Sequence, residues 1–222
     1  MPTLFHLPLS PFCRKVRLVA AEKSMGVSLE IEEPWRRREE FLALNPAAEV
    51  PVWVDDDGGT IADSNAICEY LDDIDMGPSL MGDTPGDRAE TRRLVAWFDT
   101  KFYREVTEYL YGERMLKRIR RTGEPNSAAI RAGRQNIGYH LDYIAWLTDR
   151  RNWLAGDRLS LADLAAAAQL STLDYLGEVP WEHSEGAKVW YQRVKSRPSF
   201  RTLLADSVPG FPSPPHYADL DF

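Results

Sequence analysis

The stretch Glu49-Val50-Pro51-Val52-Trp53-Val54, followed twelve residues after Pro51 by Asp63-Ser64-Asn65-Ala66-Ile67, decides the fold of this chain. Proline cannot donate to a strand ladder, so it is expected only at a strand's edge or first position. We therefore expect the backbone of Val50 to face outward, where a peptide-like ligand can pair with it. Asp63 and Ser64 begin an amphipathic run, and the free N–H groups at a helix start favour a carboxylate. Together the two segments predict a site for a small acidic peptide.

The composition limits the class of protein. The chain has 222 residues, of which 44% are hydrophobic, enough for two domains of the usual ~100–150 residues. It has no apolar run of membrane-spanning length and no secretion signal, so we expect a cytoplasmic protein without membrane insertion. The net charge of −7 argues against nonspecific nucleic-acid binding. Two cysteines and four scattered histidines predict neither a disulfide framework nor a metal site.

Apolar alternation and the positions of proline and glycine predict an α/β domain followed by an all-α domain. In residues 1–76 the pattern predicts the order βαβαββα, with a helix beginning near Pro11 and ending at Gly26. Residues 77–86 form a linker, and helical periodicity then continues over residues 87–206. A Pro-rich tail follows at residues 207–222, since its prolines cannot continue a helix.

One helix of the second domain is predicted to be its buried centre. Ser160 as N-cap and Asp163 three residues later form a variant of the capping box. The following run to Leu176 is almost entirely apolar, which is typical of a helix covered on all sides. The box therefore has a structural role.

The chain resembles the glutathione transferase superfamily over residues 1 to about 206. The resemblance rests on Ser10-Pro11-Phe12-Cys13-Arg14, Val50-Pro51, Asp63-Ser64-Asn65-Ala66-Ile67, and Gly156-Asp157 with Ser160 to Asp163. It implies a thioredoxin-like N-terminal domain, a cis Val50–Pro51 peptide bond and an all-helical C-terminal domain. It also implies a homodimer formed across the two domains.

The resemblance assigns a role to each glutathione-site position. Ser10 matches the hydroxyl that hydrogen-bonds the glutathione thiolate in serine-type transferases. Val50, beside Pro51, would pair with the cysteinyl part of glutathione, and Asp63 and Ser64 would hold its γ-glutamyl end. Glutathione would then be a cosubstrate rather than a resident cofactor. Alternatively, Ser10, Asp63 and Ser64 serve only to cap or begin helices.

Two features of the sequence bear on this chemistry. Glu49 is a poor neighbour for the glycyl carboxylate of glutathione, although Arg36 to Arg38 could compensate. Cys13 lies three residues after Ser10, where a C-P-x-C redox motif has its second cysteine. Because the first cysteine is absent, a thiol oxidoreductase is disfavoured, and we expect Cys13 and Cys68 to be core residues.

The tail and Trp35 carry the candidate partner contacts. Aromatic residues among acids, behind a stiff spacer, could anchor in a groove of another protein. Taken as a whole, the chain resembles a division-protein branch of the superfamily, which implies a non-catalytic dimer at the division site. Such a dimer would bind filaments of the tubulin homologue FtsZ and reach the septal wall synthesis machinery through its tail. The candidate contacts are Trp35, Tyr217, Asp219, Leu220, Asp221 and Phe222.

Other interpretations of these segments stay open. The tail aromatics could pack on their own dimer, and Trp35 could pack within its own domain. We expect removal of residues 216–222 to leave folding intact. The rival function is a cytosolic transferase that conjugates glutathione to electrophiles, with an acceptor site near Tyr103, Tyr109 and Tyr111.

Overall fold

The computed structural model describes the whole chain, Met1–Phe222, and its first part is a mixed sheet with helices. The sheet has the order β2-β1-β3-β4, in which β1 pairs parallel with β2 and antiparallel with β3, and β3 pairs antiparallel with β4. The strands and helices of this part are β1 Thr3–His6, α1 Pro11–Glu22, β2 Ser28–Ile31, α2 Glu39–Leu44, β3 Val52–Val54, β4 Thr60–Ala62 and α3 Ser64–Ile74. The predicted order βαβαββα is confirmed.

The end of α1 differs from the prediction. The helix ends at Glu22 rather than at Gly26. Ser24 has a left-handed φ of 56°, and the N–H of Met25 bonds back to the carbonyl of Ala20 at 2.8 Å. A serine, rather than the glycine, therefore adopts the left-handed conformation that often follows the end of a helix.

The second part of the chain is helical. A continuous helical run comprises α4 Pro85–Ala96, a π-helix Trp97–Leu116 with the wider i+5 bonding pattern, and α5 Lys117–Arg120. The remaining helices are α6 Ser127–Thr148, α7 Leu161–Tyr175, α8 Glu185–Lys195 and α9 Arg201–Leu204. None of these helices combines the length and apolar character needed to span a bilayer.

Helix α7 is the predicted buried centre, and every one of its residues is buried. The Asp163 carboxylate accepts from the Ser160 N–H at 3.0 Å and the Ser160 hydroxyl at 2.8 Å. It also accepts from the Leu154 N–H at 3.0 Å and the Trp190 indole at 2.9 Å. Burial raises the pKa of Asp163, which these hydrogen bonds oppose. The serine hydroxyl thus donates to the carboxylate, and Asp163 joins the start of α7 to α8.

The two parts of the chain share one hydrophobic core. Helix α1 packs on α7, where the Arg14 guanidinium donates to the Ser171 hydroxyl at 2.9 Å. The Thr172 hydroxyl donates to the carbonyl of Leu9 at 3.1 Å. These contacts fix the start of α1 relative to the helical part, and with it one wall of the cleft between them.

The tail folds back onto the helices. Tyr217 is 1% exposed, and its hydroxyl donates to the Leu203 carbonyl and accepts from Arg14, both at 3.0 Å. The ring of Phe222 lies 4.1 Å from the Lys195 ammonium and 5.2 Å from the Trp181 ring centroid. The tail therefore completes the core beside α7 and α8. Whether the chain still folds without residues 216–222 stays a prediction, and this packing now adds the expectation that their removal lowers thermal stability.

Candidate functional site

Two adjoining pockets lie between the sheet-bearing part and the helical part. One of about 450 Å³ is lined by Val50, Pro51, Asp63 and Ser64. The other, of about 510 Å³, is lined by Ser10 together with residues of the π-helix. The two pockets share the lining residues Phe12, Glu49, Val50, Asp99 and Thr100. The structure therefore brings all the predicted glutathione-site positions to one cleft.

Val50 offers an unpaired backbone to this cleft. The Val50–Pro51 peptide bond is cis, as the family resemblance implies. Neither the N–H nor the carbonyl of Val50 forms a backbone hydrogen bond within the protein. A ligand with an extended backbone could therefore pair with Val50.

The carboxylate of Asp63 caps the helix that follows it. It adopts a left-handed φ of 73°, and its carboxylate accepts from the N–H groups of Asn65 at 2.7 Å and Ala66 at 3.2 Å. Ser64 is the first residue of α3 and is buried. Asp63 thus uses its charge as a helix cap, which leaves less of its hydrogen-bonding capacity for a ligand.

Ser10 caps α1 and also faces the cleft. Its hydroxyl accepts from the N–H of Cys13 at 3.4 Å, and the side chain is 7% exposed. Because a hydroxyl can accept one hydrogen bond and donate another, capping does not prevent Ser10 from donating to a ligand. The two interpretations of Ser10 are therefore compatible with one geometry.

The cysteine thiols and the tyrosine hydroxyls of this region are neutral at physiological pH. Burial raises the pKa of the Cys13 thiol to about 11 and that of Cys68 to about 12. Burial also raises the pKa of Tyr103 and Tyr111, which line the cleft. Neither thiol is a thiolate at pH 7, and Cys13 and Cys68 are core residues, as expected.

The pocket around Val50 is acidic. Glu49, Asp63 and Asp99 line it, and no lysine, arginine or histidine does. Lys15 contacts Asp99, but its side chain is fully buried behind the pocket and also donates to Asn65 at 2.7 Å. The local field is therefore unfavourable for a ligand with two carboxylates.

The expected compensation by Arg36 to Arg38 does not occur. None of the three lines either pocket. Arg36 pairs with Glu33, and Arg38 pairs with the buried Glu32 at 2.5 Å. Arg36 and Arg38 pair with these glutamates because each glutamate lies within six residues of its arginine in the chain.

The candidate partner contacts divide into exposed and buried residues. Asp219, Leu220 and Asp221 are exposed, and Trp35 and Phe222 are half-buried. Tyr217 is not available to a partner in this structure, because its ring lies inside the chain's own core. Its interpretation as a direct contact is corrected: Tyr217 holds the tail in place.

Sequence reasoning missed several residues of the cleft. Asp99 and Thr100 line both pockets, and Arg104 and Arg120 line the larger one. All four belong to the long helical run that faces the sheet-bearing part across the cleft. No local motif marks them, since only the packing of the two parts brings them to the site.

Comparison with known proteins follows the same division of the chain. The family model "Glutathione S-transferase, N-terminal domain" matches residues 9–74, and "Glutathione S-transferase, C-terminal domain" matches residues 134–198. FtsZ-localized protein A of Caulobacter vibrioides is 46% identical, covering 99% of this chain and 98% of that protein. The chain belongs to the glutathione S-transferase family. Glutathione S-transferase 2 of Saccharomyces cerevisiae is 30% identical, covering 90% of this chain and 88% of that protein.

Solved structures of this family match the whole fold. A glutathione S-transferase from Rhodospirillum rubrum F11 has a TM-score of 0.98 and 57% identity, with full coverage of both chains. FzlA from C. crescentus has a TM-score of 0.96 and 46% identity, covering 100% of this chain and 99% of that one. The thioredoxin-like N-terminal domain and the helical C-terminal domain are therefore established.

Proposed function

We propose that this chain is a non-catalytic regulator of cell division, built on a glutathione S-transferase scaffold. It binds FtsZ filaments as a cytoplasmic homodimer at the division site and links them to septal wall synthesis. The observation that carries the proposal is the 46% identity to FtsZ-localized protein A, which extends over 99% of the chain. That similarity therefore includes the tail as well as both domains.

The charge of the cleft supports a binding role over a catalytic one. Glutathione carries two carboxylates, whereas Glu49, Asp63 and Asp99 surround the free backbone of Val50. Opposed like charges weaken binding, and the Asp63 carboxylate already caps α3. The scaffold thus keeps the geometry of a glutathione site without a cation in the pocket around Val50.

The tail supplies a surface for a partner. His216 and Phe222 are fixed against the helices, the former by a 3.0 Å contact with Asp174. The intervening Asp219, Leu220 and Asp221 are exposed. We assign these three residues to the contact with the division machinery, and Trp35 to a second contact surface at the mouth of the cleft.

One alternative function has specific support. The Ser10 hydroxyl and the unpaired Val50 backbone belong to one continuous cleft, and a relative named Glutathione S-transferase 2 is 30% identical. In that case Ser10 would donate to the glutathione sulfur and stabilise the thiolate. The sulfur, and not Ser10, would attack the electrophile.

Calorimetric titration with glutathione separates the two functions. Because the pocket around Val50 is acidic, we expect no binding with a dissociation constant below ~1 mM, the upper end of typical Michaelis constants. In parallel, the full-length chain should sediment with polymerised FtsZ and stay in the supernatant without it. Micromolar glutathione affinity together with no sedimentation would instead establish the transferase alternative.

A further inference from the structure

Two basic segments that are far apart in the sequence meet at Trp35. The guanidinium carbon of Arg120 lies 4.9 Å from the centroid of the Trp35 ring. Arg37 follows Trp35 by two residues, and Arg121 follows Arg120. Arg37 and Arg121 both have left-handed backbones, with φ of 48° and 54°. We call Trp35, Arg37, Arg120 and Arg121 the Trp35 patch.

The arginines of the Trp35 patch have no acidic partner within the chain. Among the neighbouring basic residues, Arg36 pairs with Glu33 and Lys117 pairs with Glu113, whereas Arg118 lies over the Phe211 ring. By contrast, Arg37, Arg120 and Arg121 are exposed and form none of the chain's ion pairs, each of which joins other residues. Three unpaired arginines on the two segments that meet at Trp35 are conspicuous in a chain with a net charge of −7.

The chemistry of the Trp35 patch specifies its occupant. Guanidinium groups bind carboxylates through paired hydrogen bonds, and tryptophan and arginine are frequent anchors of protein interfaces. Arg120 also lines the larger pocket together with Tyr103 and Leu116, so an apolar side chain has a place beside it. Glu49, Asp99 and Glu108 line the same pocket, so the acidic groups of an occupant would stay at the arginines outside it. A nucleic acid fits less well than a short acidic segment, because a long polyanion would extend past the arginines onto the acidic rest of the chain.

We propose that the Trp35 patch binds an acidic segment of a protein partner. Carboxylates of this segment pair with Arg37, Arg120 and Arg121, and an apolar side chain enters the cleft beside Arg120. The inference rests on the proposed function in taking the partner to be a protein. It does not require that partner to be FtsZ.

The test uses a fluorescein-labelled peptide of glutamates with one central leucine, and binding is followed by fluorescence anisotropy. Full-length protein should bind this peptide at low salt, and binding should weaken as salt screens the charges. The double variant Arg37→Glu/Arg120→Glu should weaken binding at least ~10-fold, the change that corresponds to about 1.4 kcal/mol. A lysine peptide of the same length should not bind.

The control variant makes the same change in net charge at two arginines outside the Trp35 patch. Arg131 and Arg201 are also exposed and belong to no ion pair of the chain, so Arg131→Glu/Arg201→Glu should keep most of the affinity. Equal weakening by both double variants would overturn the proposal, since net charge alone would then explain binding. Absence of peptide binding by the unmodified protein, or tighter binding of single-stranded oligothymidylate, would also overturn it.

Sedimentation with FtsZ distinguishes failure of this inference from failure of the proposed function. If the chain binds the acidic peptide through Arg37 and Arg120 but does not sediment with FtsZ, the proposed function fails and the Trp35 patch stands. If the chain sediments with FtsZ and the acidic peptide does not bind, the inference fails and the proposed function stands.

Discussion

Replacement of Tyr217 by alanine is expected to lower the free energy of unfolding by about 3–5 kcal/mol, the range for truncation of a buried large aromatic side chain. The ring is 1% exposed and lies 5.1 Å from the Tyr175 ring centroid. Its removal would leave a cavity between α7 and the tail. Equilibrium unfolding in urea, followed by circular dichroism, measures the change.

The hydroxyl of Tyr217 adds a second contribution. It accepts from Arg14, which is itself fully buried and also pairs with Asp206 at 3.0 Å. Tyr217→Phe should therefore cost about 1–3 kcal/mol, because a buried donor loses a partner. Leu220→Ala is the control, since Leu220 is 38% exposed and surface changes usually stay within about 0.5 kcal/mol. A Tyr217→Ala variant as stable as Leu220→Ala would mean that the tail is detached in solution.

Replacement of Asp163 by alanine is expected to destabilise the protein by about 3–5 kcal/mol, as when one partner is removed from a buried charged network. Four donors, from Leu154, Ser160 and Trp190, would lose their acceptor. The start of the central helix would lose its cap as well. The same urea unfolding experiment measures this loss.

The matched control for Asp163 is Asp149→Ala. The side chain of Asp149 is 77% exposed and pairs only with the exposed Arg150 at 3.3 Å. Its removal should change stability by less than about 1 kcal/mol, as is typical of surface ion pairs. If Asp163→Ala were equally mild, water or neighbouring groups would be replacing the carboxylate, and its role as the link between α7 and α8 would be excluded.

The order of strands and helices was predictable because its signals are local. Alternation of apolar residues marks each strand, and Pro11, Gly26 and Pro51 lie close to element boundaries. The buried α7 was predictable for the same reason, since Ser160 and Asp163 are three residues apart. Even so, α1 ended at Glu22, because Ser24 adopted a left-handed conformation that residue type alone disfavours.

The docking of the tail was not predictable from local sequence. Tyr217 is held by Arg14, which lies 203 residues earlier in the chain, and His216 is held by Asp174 on the central helix. A segment with prolines and scattered aromatic residues has the same composition whether it is docked or free. Only the packed core provides the groove in which these side chains lie.

The sequence predicted the residues on one side of the candidate site, but it did not predict the opposite side or the charge of the cleft. The motifs around Ser10, Val50 and Asp63 located one side of the cleft. The opposite side comes from the helical part, which contributes Asp99 and Arg120 without any motif. None of Arg36, Arg37 and Arg38, the cations that the sequence suggested for glutathione, lines the cleft, and Arg36 and Arg38 pair with local glutamates instead.

Sedimentation of the full-length chain with polymerised FtsZ tests the central claim most directly. We expect the unmodified chain and Ser10→Ala to enter the pellet to the same extent, with or without added glutathione, because partner binding does not depend on the Ser10 hydroxyl. Retention of the unmodified chain in the supernatant under conditions in which FtsZ itself pellets would contradict the proposed function.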